Sequence, residues 1–475
     1  MSARIEAPWS RRRFLGSAAG LSGGLLGGAA LLGGCAAGSG TVAGELPELP
    51  ADVAEFLRVQ GKALGVDRIG VLAYASPQAE VVKAFTAQFS ELTGIEVAWT
   101  GLDEQSAASR ASVALGSGAG GYDIVQTSSG LLPTYVERGW VADLTALRGA
   151  SPATVPTWDP AVYGPGTVAM LSQGDALYAV PNFIGTQVFY YRTDVFEQAG
   201  VSVPTTLAEL RTVCAAVHSD EISAIALRSA PNASQLLFVW SAWLYAYGGR
   251  FYTDYRDGRY SGVALESDEA LQALELYVEL VRDYAPSGAT NWSVEDVTRS
   301  FTTGRVAIVQ EGAVFGGTFN DPDASQAAGR VGTFVIPSGP AGRFVPYNAH
   351  GWLVAERSAH RDAAWLFAQW ATLPEILTAA TLGKVAYSTP PLPKVYRTPE
   401  YRDKYGFDDF VVTVQETIET ADGGGYTPFD DASYQPRSAD WNTVGQKISE
   451  ELSKAVTGQV DPRSALAAAA RAVGS

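Results

Sequence analysis

The sequence predicts an α/β protein of two lobes, each a mainly parallel sheet flanked by helices. Two observations carry this prediction. Short apolar runs typical of buried strands alternate with stretches of helical periodicity, and the alternation occurs in two separate parts of the chain. The chain has 475 residues, and the part that follows its N-terminal segment exceeds the roughly 250–300 residues at which a single hydrophobic core stops growing.

The first alternation starts at the apolar run 69–74, which predicts a buried strand. Ser76 is the expected N-cap of the next helix, Pro77 stands at its first position, and Gly94 ends it. The elements predicted after this helix are a strand over 95–99, a helix over 104–115, a strand over 122–126 and a helix from about 131. This order predicts parallel strands in the first lobe.

The second alternation follows Pro181. Its predicted elements are a strand over 187–191, a helix over 205–217, a strand over 222–227 and helices over 233–247 and 267–285. Pro286 is expected to end the last helix, because proline cannot continue an α-helix.

The N-terminal segment 1–34 has the layout of a cleaved export signal. It carries four arginines and one glutamate before an uncharged stretch, and 10–15 resembles a twin-arginine signal, with a general secretory signal as the alternative. Residues 32–35 resemble a lipobox, which predicts a lipid on Cys35. A single transmembrane anchor is disfavoured, because eight of the 21 residues of the uncharged stretch are glycine. Residues 35–65 are predicted to form a lipid-anchored tether.

The composition excludes several classes of function. The formal net charge is −16 at pH 7, and removal of a signal of charge +3 makes it about −19, so nucleic acids and polyanionic partners are disfavoured. Apart from Cys35 the chain has one cysteine, Cys214, in an apolar helical stretch that predicts a buried, unreactive thiol. His218, His350 and His360 lie too far apart in the sequence for a dedicated zinc site. We expect a monomer without a metal or cofactor.

Four stretches in a fixed order carry a resemblance to a known family. They are 85–97 (FTAQFSELTGIEV), 114–144 with YDIV and GWVADL, 178–200 with YAVP and FYYRTD, and 301–309 (FTTGRVAIV). Together with the lipoprotein signal that precedes them, these stretches resemble the extracytoplasmic solute-binding proteins of bacterial ABC importers. The resemblance is to the carbohydrate group, which includes the maltose-binding protein.

The resemblance implies a periplasmic-binding-protein-like fold of type II, with two lobes that close about a hinge around a sugar and present it to membrane permease subunits. The implied hinge crossings lie near 180–182, 309–312 and 371–374. The implied domains are 66–181 and 312–372 for the first lobe and 182–311 and 373–475 for the second.

A neutral sugar offers hydroxyl pairs and apolar C–H faces, so its site needs carboxylates, amides and aromatic rings. In parallel α/β sheets, ligands bind beyond the carboxyl ends of the strands. We therefore expect ligand-binding residues in the first lobe at Tyr74, Ser76 and Ser128. Beside the implied hinge we expect Asn182, which follows a proline, and Glu311, which ends a strand.

Further ligand-binding candidates come from the resemblance and from the aromatic residues. Asn348, His350 and Trp352 stand where the family often has Gly-Gly-Trp in the cleft, and a core position is the alternative for the tryptophan. Tyr387 lies in a loop that the resemblance returns to the cleft, with a plain surface turn as the alternative. Trp240 and Trp243 are added as candidates, although their helical spacing is more typical of core packing.

Some residues match the residue types of a catalytic or cofactor-binding signature but lack its structural context. Gly116, Gly118 and Gly121 satisfy G-x-G-x-x-G, but between a helix and a strand, which is the reverse of the dinucleotide-binding context. An exported glycoside hydrolase is the rival from another class, since Glu311 or the pair 430–431 could supply an acid and a base. A sugar sensor or adhesin with the same fold is a third alternative. The sequence favours a solute-binding protein that is not an enzyme.

Overall fold

The computed structural model describes residues 46–118, 121–256, 259–383, 389–407, 409–422 and 435–474. The predicted export signal, the lipid-attachment residue Cys35 and the loop residue Tyr387 lie outside these ranges.

The helices are α1 (Ala51–Leu64), α2 (Pro77–Thr93), α3 (Glu104–Ser117), α4 (Leu132–Glu137), α5 (Leu144–Ala150), α6 (Pro165–Met170), α7 (Thr193–Ala199), α8 (Leu207–Val217), α9 (Phe238–Ala246), α10 (Asp268–Asp283), α11 (Val294–Thr302), α12 (Gly316–Phe319), α13 (Arg361–Trp370), α14 (Pro374–Leu382), α15 (Pro399–Tyr405), α16 (Phe410–Asp422), α17 (Trp441–Val456) and α18 (Pro462–Gly474). The strands are β1 (Arg68–Tyr74), β2 (Glu96–Leu102), β3 (Ile124–Ser128), β4 (Ser172–Gln173), β5 (Ala176–Leu177), β6 (Val180–Arg192), β7 (Ser223–Ala226), β8 (Tyr252–Arg256), β9 (Arg259–Val263), β10 (Val306–Gly312), β11 (Val331–Phe334) and β12 (Tyr347–Val354).

The first lobe contains the three parallel strands that the sequence predicts. Their order is β2-β1-β3, and β12 pairs antiparallel with β3. Helix α2 connects β1 to β2; it starts at Ser76, whose Oγ accepts a hydrogen bond from the backbone of Ala79, and ends at Gly94 with a left-handed φ of 76°. The predicted order of strand, helix, strand, helix and strand over 69–126 is confirmed.

The second lobe is built around β10. This strand runs parallel to β7 and antiparallel to β6, and β11 also pairs with β6. Helix α8 follows a capping box in which Thr206 and Glu209 bond each other's backbone, close to the predicted start at 205. The sheets are therefore parallel at their outer strands and antiparallel where the chain passes between the lobes.

Strand β6 joins the sheets of the two lobes. Its first part, up to Thr186, pairs with β12 of the first lobe, and from Gln187 onward it pairs with β10 of the second. The pairing with β12 shifts register between His350 and Gly351, an irregularity of the kind that bends a strand. The change of lobe thus occurs a few residues after the predicted boundary at Pro181.

The buried apolar residues form two cores, of which the first fills the first lobe and continues onto Phe301 and Val309 of the second, while the second core lies within the second lobe. Trp352, Phe367 and Trp370 lie in the first core, and Trp243 and Tyr277 lie in the second. Helix α14 packs on α2 of the first lobe, although the predicted domains place residues 373–475 in the second. The chain thus stays with the first lobe from β12 through α14 before it reaches α17 and α18 of the second.

Helix α1 corrects the predicted tether. Val53 and Leu57 are buried in the first core, and α1 packs along α2. A side chain at Gly61 would place its Cβ 2.3 Å from the carbonyl oxygen of Thr93, so glycine allows the two helices to approach closely. Residues 51–64 therefore belong to the folded domain, because their apolar residues recur at helical spacing and cover the core.

Two further observations concern single features. Cys214 is buried in α8, and burial raises the pKa of its thiol, in agreement with an unreactive core cysteine. Within the part of the chain that the structure describes, no helix has both the length and the apolar character needed to span a membrane.

Candidate functional site

A cavity of about 330 Å³ lies between the two lobes. Its described lining is almost entirely hydroxyl, amide and carboxyl side chains, joined by two alanines and one leucine. The first lobe supplies Glu104, Gln105, Ala108, Ser109, Ser112, Ser128 and Leu131, and the second supplies Asn232, Ala233, Ser234, Gln435, Asn442 and Gln446. Because both lobes build the cavity, a hinge movement would open and close it.

A larger cavity, of about 510 Å³, lies at the opposite edge of the first-lobe sheet, around Arg68, Tyr122 and Arg357. The described residues that line it all belong to the first lobe, so hinge movement would not change access to it. It also lies at the amino ends of β1 and β3, whereas parallel sheets bind ligands at the carboxyl ends. The cavity between the lobes is therefore the candidate ligand site.

Helix α3 brings Glu104 to the cavity. β2 ends at Leu102, and the Asp103 side chain caps α3 by accepting a hydrogen bond of 2.9 Å from the backbone of Ser106. Glu104 remains accessible to solvent, yet the walls of the cavity surround it. Desolvation by these walls raises the pKa of Glu104, the positive charge of Arg228 opposes this shift, and the negative charge of Glu295 adds to it. Glu104 thus lies within electrostatic range of the second lobe.

Tyr74 and Gln126 are buried at the carboxyl end of the first-lobe sheet, and Tyr74 lies close to Glu104. The backbone N–H of Tyr74 donates to Gln126 Oε1 at 3.0 Å, which leaves the Gln126 Nε2 donor buried without a partner among the described residues. Burial raises the pKa of the Tyr74 phenol well above 10, and the nearby charge of Glu104 raises it further. Tyr74 is therefore a neutral hydroxyl group close to the cavity residue Ser128.

Asn348 links His350 to the loop after β3. Ser129 Oγ donates to Asn348 Oδ1 at 2.6 Å, and Asn348 Nδ2 lies 3.0 Å from His350 Nε2. Because the amide nitrogen is a donor, Nε2 of the imidazole accepts and Nδ1 carries the proton. The ring stacks on Phe183 at a centroid distance of 4.0 Å and meets Tyr74 edge to face at 5.7 Å. Burial lowers the pKa of His350 to about 3, so the imidazole is neutral at physiological pH.

The second lobe contributes a buried ion pair. Strands β7 and β10 are parallel, with Ala226 opposite Val309, so Arg228 and Glu311 follow in register two residues later. The Arg228 guanidinium donates two hydrogen bonds to the Glu311 carboxylate, of 2.7 Å from Nε and 2.5 Å from a terminal nitrogen. It also lies over the ring of Phe238 at 4.3 Å. The pair fixes the carboxyl ends of both strands, next to the cavity residues 232–234.

Residues just before α17 join the lobes. The Arg437 side chain donates to the carbonyl oxygen of Met170 in the first lobe at 3.0 Å, and its backbone N–H donates to the Tyr260 hydroxyl in the second. Thr134 Oγ1 of the first lobe donates to the carbonyl oxygen of Ala439 at 2.7 Å. Helix α17 supplies two of the cavity residues, so these bonds hold the two walls of the site together.

The structure brings together part of the predicted site. Tyr74, Ser128, Asn348 and His350 meet at the carboxyl edge of the first-lobe sheet, and Ser128 lines the cavity. Glu311 is fully buried and faces Arg228. Asn182 is buried in β6 at the register shift, and Ser76 caps α2. Neither Asn182 nor Ser76 belongs to the cavity lining.

The tryptophan predictions need correction. Trp352 is fully buried against Trp99 and Phe367, at centroid distances of 5.8 and 6.4 Å. Trp240 and Trp243 are also fully buried, and Trp243 Nε1 donates to Gln310 at 2.7 Å. These rings pack in the lobe cores and are outside the cavity lining, because neighbouring helices cover them.

Several cavity residues were not predicted. Glu104 follows the end of β2, so the rule that selected Tyr74 and Ser128 would also have selected it. The same rule would have selected Arg228, which follows the end of β7 and lies beside the cavity residue Ser234. Asn232 precedes a π-helical turn, Ala233–Leu237, a feature frequent at functional sites but without a sequence signal. Gln435 and Gln446 reach the cavity only because the chain crosses back to the second lobe just before α17. Among the residues described, no group of three His, Cys, Asp or Glu side chains could hold a metal ion.

Comparisons with known proteins give one consistent result. A family model described as bacterial extracellular solute-binding protein matches residues 74–378, more than half of the chain. The mannitol-binding protein of Pseudomonas aeruginosa is 24% identical over 397 residues, which cover 79% of this chain and 85% of that protein. The erythritol/L-threitol-binding protein of Mycolicibacterium smegmatis is 24% identical over 400 residues, covering 80% and 81%.

Two solved structures share the fold. A solute-binding protein of an ABC transporter from Agrobacterium radiobacter, in complex with ribitol, has a TM-score of 0.75 at 22% identity and covers 86% of this chain and 98% of its own. A solute-binding protein from Agrobacterium vitis with bound D-mannitol has a TM-score of 0.74 at 21% identity, with 85% and 96% covered. The predicted two-lobed fold of periplasmic-binding-protein type is thus confirmed.

Proposed function

Since the chain belongs to the bacterial extracellular solute-binding protein family, we propose that it captures a neutral sugar or sugar alcohol and delivers it to the permease of an ABC importer. The observation that carries this proposal is the cavity between the lobes, lined from both sides by hydroxyl, amide and carboxyl groups. Such groups are the partners that ligand hydroxyls need, and hinge closure buries them together. The names of the relatives, which refer to mannitol, erythritol and L-threitol, agree with this chemistry.

The size of the cavity favours a short ligand. Its volume of about 330 Å³ is at the lower end of the roughly 300–1,000 Å³ of typical small-molecule sites. A single sugar unit or an acyclic polyol of about four to six carbons suits this space better than an oligosaccharide. We therefore rank small polyols first among the ligands.

Binding without turnover is part of the proposal. Glu311, the residue that could serve as the acid of a glycoside hydrolase, is fully buried and makes two hydrogen bonds to Arg228. The Arg228 guanidinium occupies both oxygens of this carboxylate, and Glu311 is outside the described cavity lining, so it is not placed to act on a ligand in the cavity. The candidate pair 430–431 lies outside the described residues.

The proposal is tested by titration calorimetry and tryptophan fluorescence of the mature protein. We expect saturable binding of at least one of D-mannitol, ribitol, erythritol, D-glucose and maltose, and unchanged ligand recovered by chromatography after long incubation. Absence of binding to all five would contradict solute capture, and a product would contradict the non-enzymatic role. Loss of uptake of the bound solute on gene deletion would separate an importer component from a sensor or adhesin.

A lipid on Cys35 is proposed to hold the protein at the outer face of the membrane. The motif at 32–35 supports it, and since α1 starts at Ala51 the proposed tether shortens to 36–50. We expect Cys35→Ser to release the protein from the membrane fraction, because the serine hydroxyl cannot take the thioether-linked lipid. Fractionation of cells with either form checks this, and a variant that stays in the membrane fraction would contradict a lipid anchor.

A further inference from the structure

Glu104 differs from the other residues that line the cavity between the lobes. It is the one charged side chain among the described lining residues, which otherwise carry amide and hydroxyl groups or are apolar. No hydrogen bond or ion pair joins its side chain to another residue within the described ranges. A carboxylate is acceptor-only and has about four acceptor positions. Glu104 therefore presents a full set of acceptors to whatever occupies the cavity.

The charges around Glu104 are mostly negative. Asp103 precedes it, and Glu295 faces it from the second lobe. The cation within range is Arg228, whose guanidinium already bonds the Glu311 carboxylate. Since the Arg228 charge is compensated by its own partner, an acidic ligand in the cavity would meet net repulsion.

We propose that Glu104 determines specificity by accepting hydrogen bonds from two neighbouring hydroxyl groups of a neutral polyhydroxy ligand and by excluding ligands that carry a carboxylate. The proposal rests on the function proposed above. The two oxygens of a carboxylate suit two adjacent hydroxyl donors, and hydrogen bonds to an ionised acceptor are about twice as strong as those between neutral groups. Glutamine keeps the size of the side chain but loses the charge and one acceptor oxygen.

The experiment compares a neutral polyol with the acid of equal carbon number. Calorimetry is carried out with D-mannitol against D-gluconate and with ribitol against D-ribonate, for the wild type, Glu104→Gln and Glu104→Ala. We expect Glu104→Gln to lower the affinity for the neutral polyol that binds more tightly by at least about tenfold, which is the effect of losing a hydrogen bond to a charged group. The preference for the neutral ligand over its acid should fall by a larger factor, since repulsion of the acid also decreases.

The matched control is Glu269→Gln. Glu269 also lies in the first turn of a helix, α10, and is exposed outside the cavity, so its replacement removes a similar helix-dipole interaction without touching the site. We expect no change in affinity for this variant. The melting temperature without ligand should be close to that of the wild type for Glu104→Gln, which separates a binding role from a structural one.

The pH dependence gives a second readout. Desolvation by the cavity walls raises the pKa of Glu104, and the groups that face it are Asp103, Tyr74, Arg228 and Glu295. A raised pKa means that the carboxylate is lost as the pH falls through that value, so the affinity of the wild type should decrease on acidification more than that of Glu104→Gln.

Each outcome decides one of the two proposals. A wild type that binds a neutral polyol together with a Glu104→Gln variant of equal affinity overturns the role of Glu104 and leaves solute capture intact. A wild type that prefers the acid of either pair does the same. A wild type that binds none of the four probes overturns the role of Glu104, and the wider ligand panel then decides on solute capture.

Discussion

Replacement of Glu311 by glutamine is expected to lower the free energy of unfolding by about 3–5 kcal/mol, the usual cost of removing one partner of a buried ion pair. Glu311 is fully buried, and 9% of the Arg228 side chain is exposed, so solvent cannot compensate the remaining charge. The Tyr277 hydroxyl also donates to the carbonyl oxygen of Arg228. This bond holds the Arg228 backbone and hinders a shift that would expose the guanidinium to solvent. Urea denaturation without ligand measures the loss.

The double variant Arg228→Met, Glu311→Leu separates the cost of an unpaired charge from the value of the pair. We expect it to be more stable than Glu311→Gln, because removal of both charges also removes their desolvation penalty. Glu55→Gln is the surface control, since the Arg58–Glu55 pair is more than half exposed and should contribute no more than about 1 kcal/mol. A loss below 1 kcal/mol for Glu311→Gln would show that water reaches the pair.

The fold was largely predictable, because parallel strands buried on both faces have an unmistakable composition. The run 69–74 became β1, and the caps Ser76 and Gly94 bound α2 as expected. Helix α1 was missed because it follows a stretch rich in Ala, Gly and Pro, and its apolar residues are few. Val53 and Leu57 are buried because α1 packs against α2. This tertiary contact cannot be read from the local sequence.

The site was predictable where it depends on topology and not where it depends on packing. The strand-end rule located Tyr74 and Ser128, and applied consistently it would have found Glu104. Whether a tryptophan faces a cleft or a core depends on the helices that cover it. Trp352 is covered by Phe367 of α13, a contact between residues that share no local pattern.

Acidification is expected to destabilise the protein through His350. Burial lowers its pKa to about 3 in the folded state, against 6.5 for an ordinary histidine. Between these values the unfolded chain binds a proton that the folded chain does not, so stability rises with pH across this window and is lost as the pH falls. The slope is at most about 1.4 kcal/mol per pH unit, which amounts to roughly 2–3 kcal/mol between pH 6.5 and 4.5.

Other groups also titrate in this range, so the pH dependence of the wild-type stability alone does not isolate the contribution of His350. Hydrogen bonding from Arg192 lowers the pKa of Asp194, for example, and its stabilising contribution is likewise lost in acid. The informative quantity is the difference in unfolding free energy between the wild type and His350→Gln, measured by urea denaturation from pH 4.5 to 7.5. Glutamine has no proton to gain, so the wild type should lose stability on acidification faster than the variant. A difference that is independent of pH would mean that the folded protein protonates His350 as readily as the unfolded chain does, and the conclusion that burial keeps the imidazole neutral in acid would then be wrong.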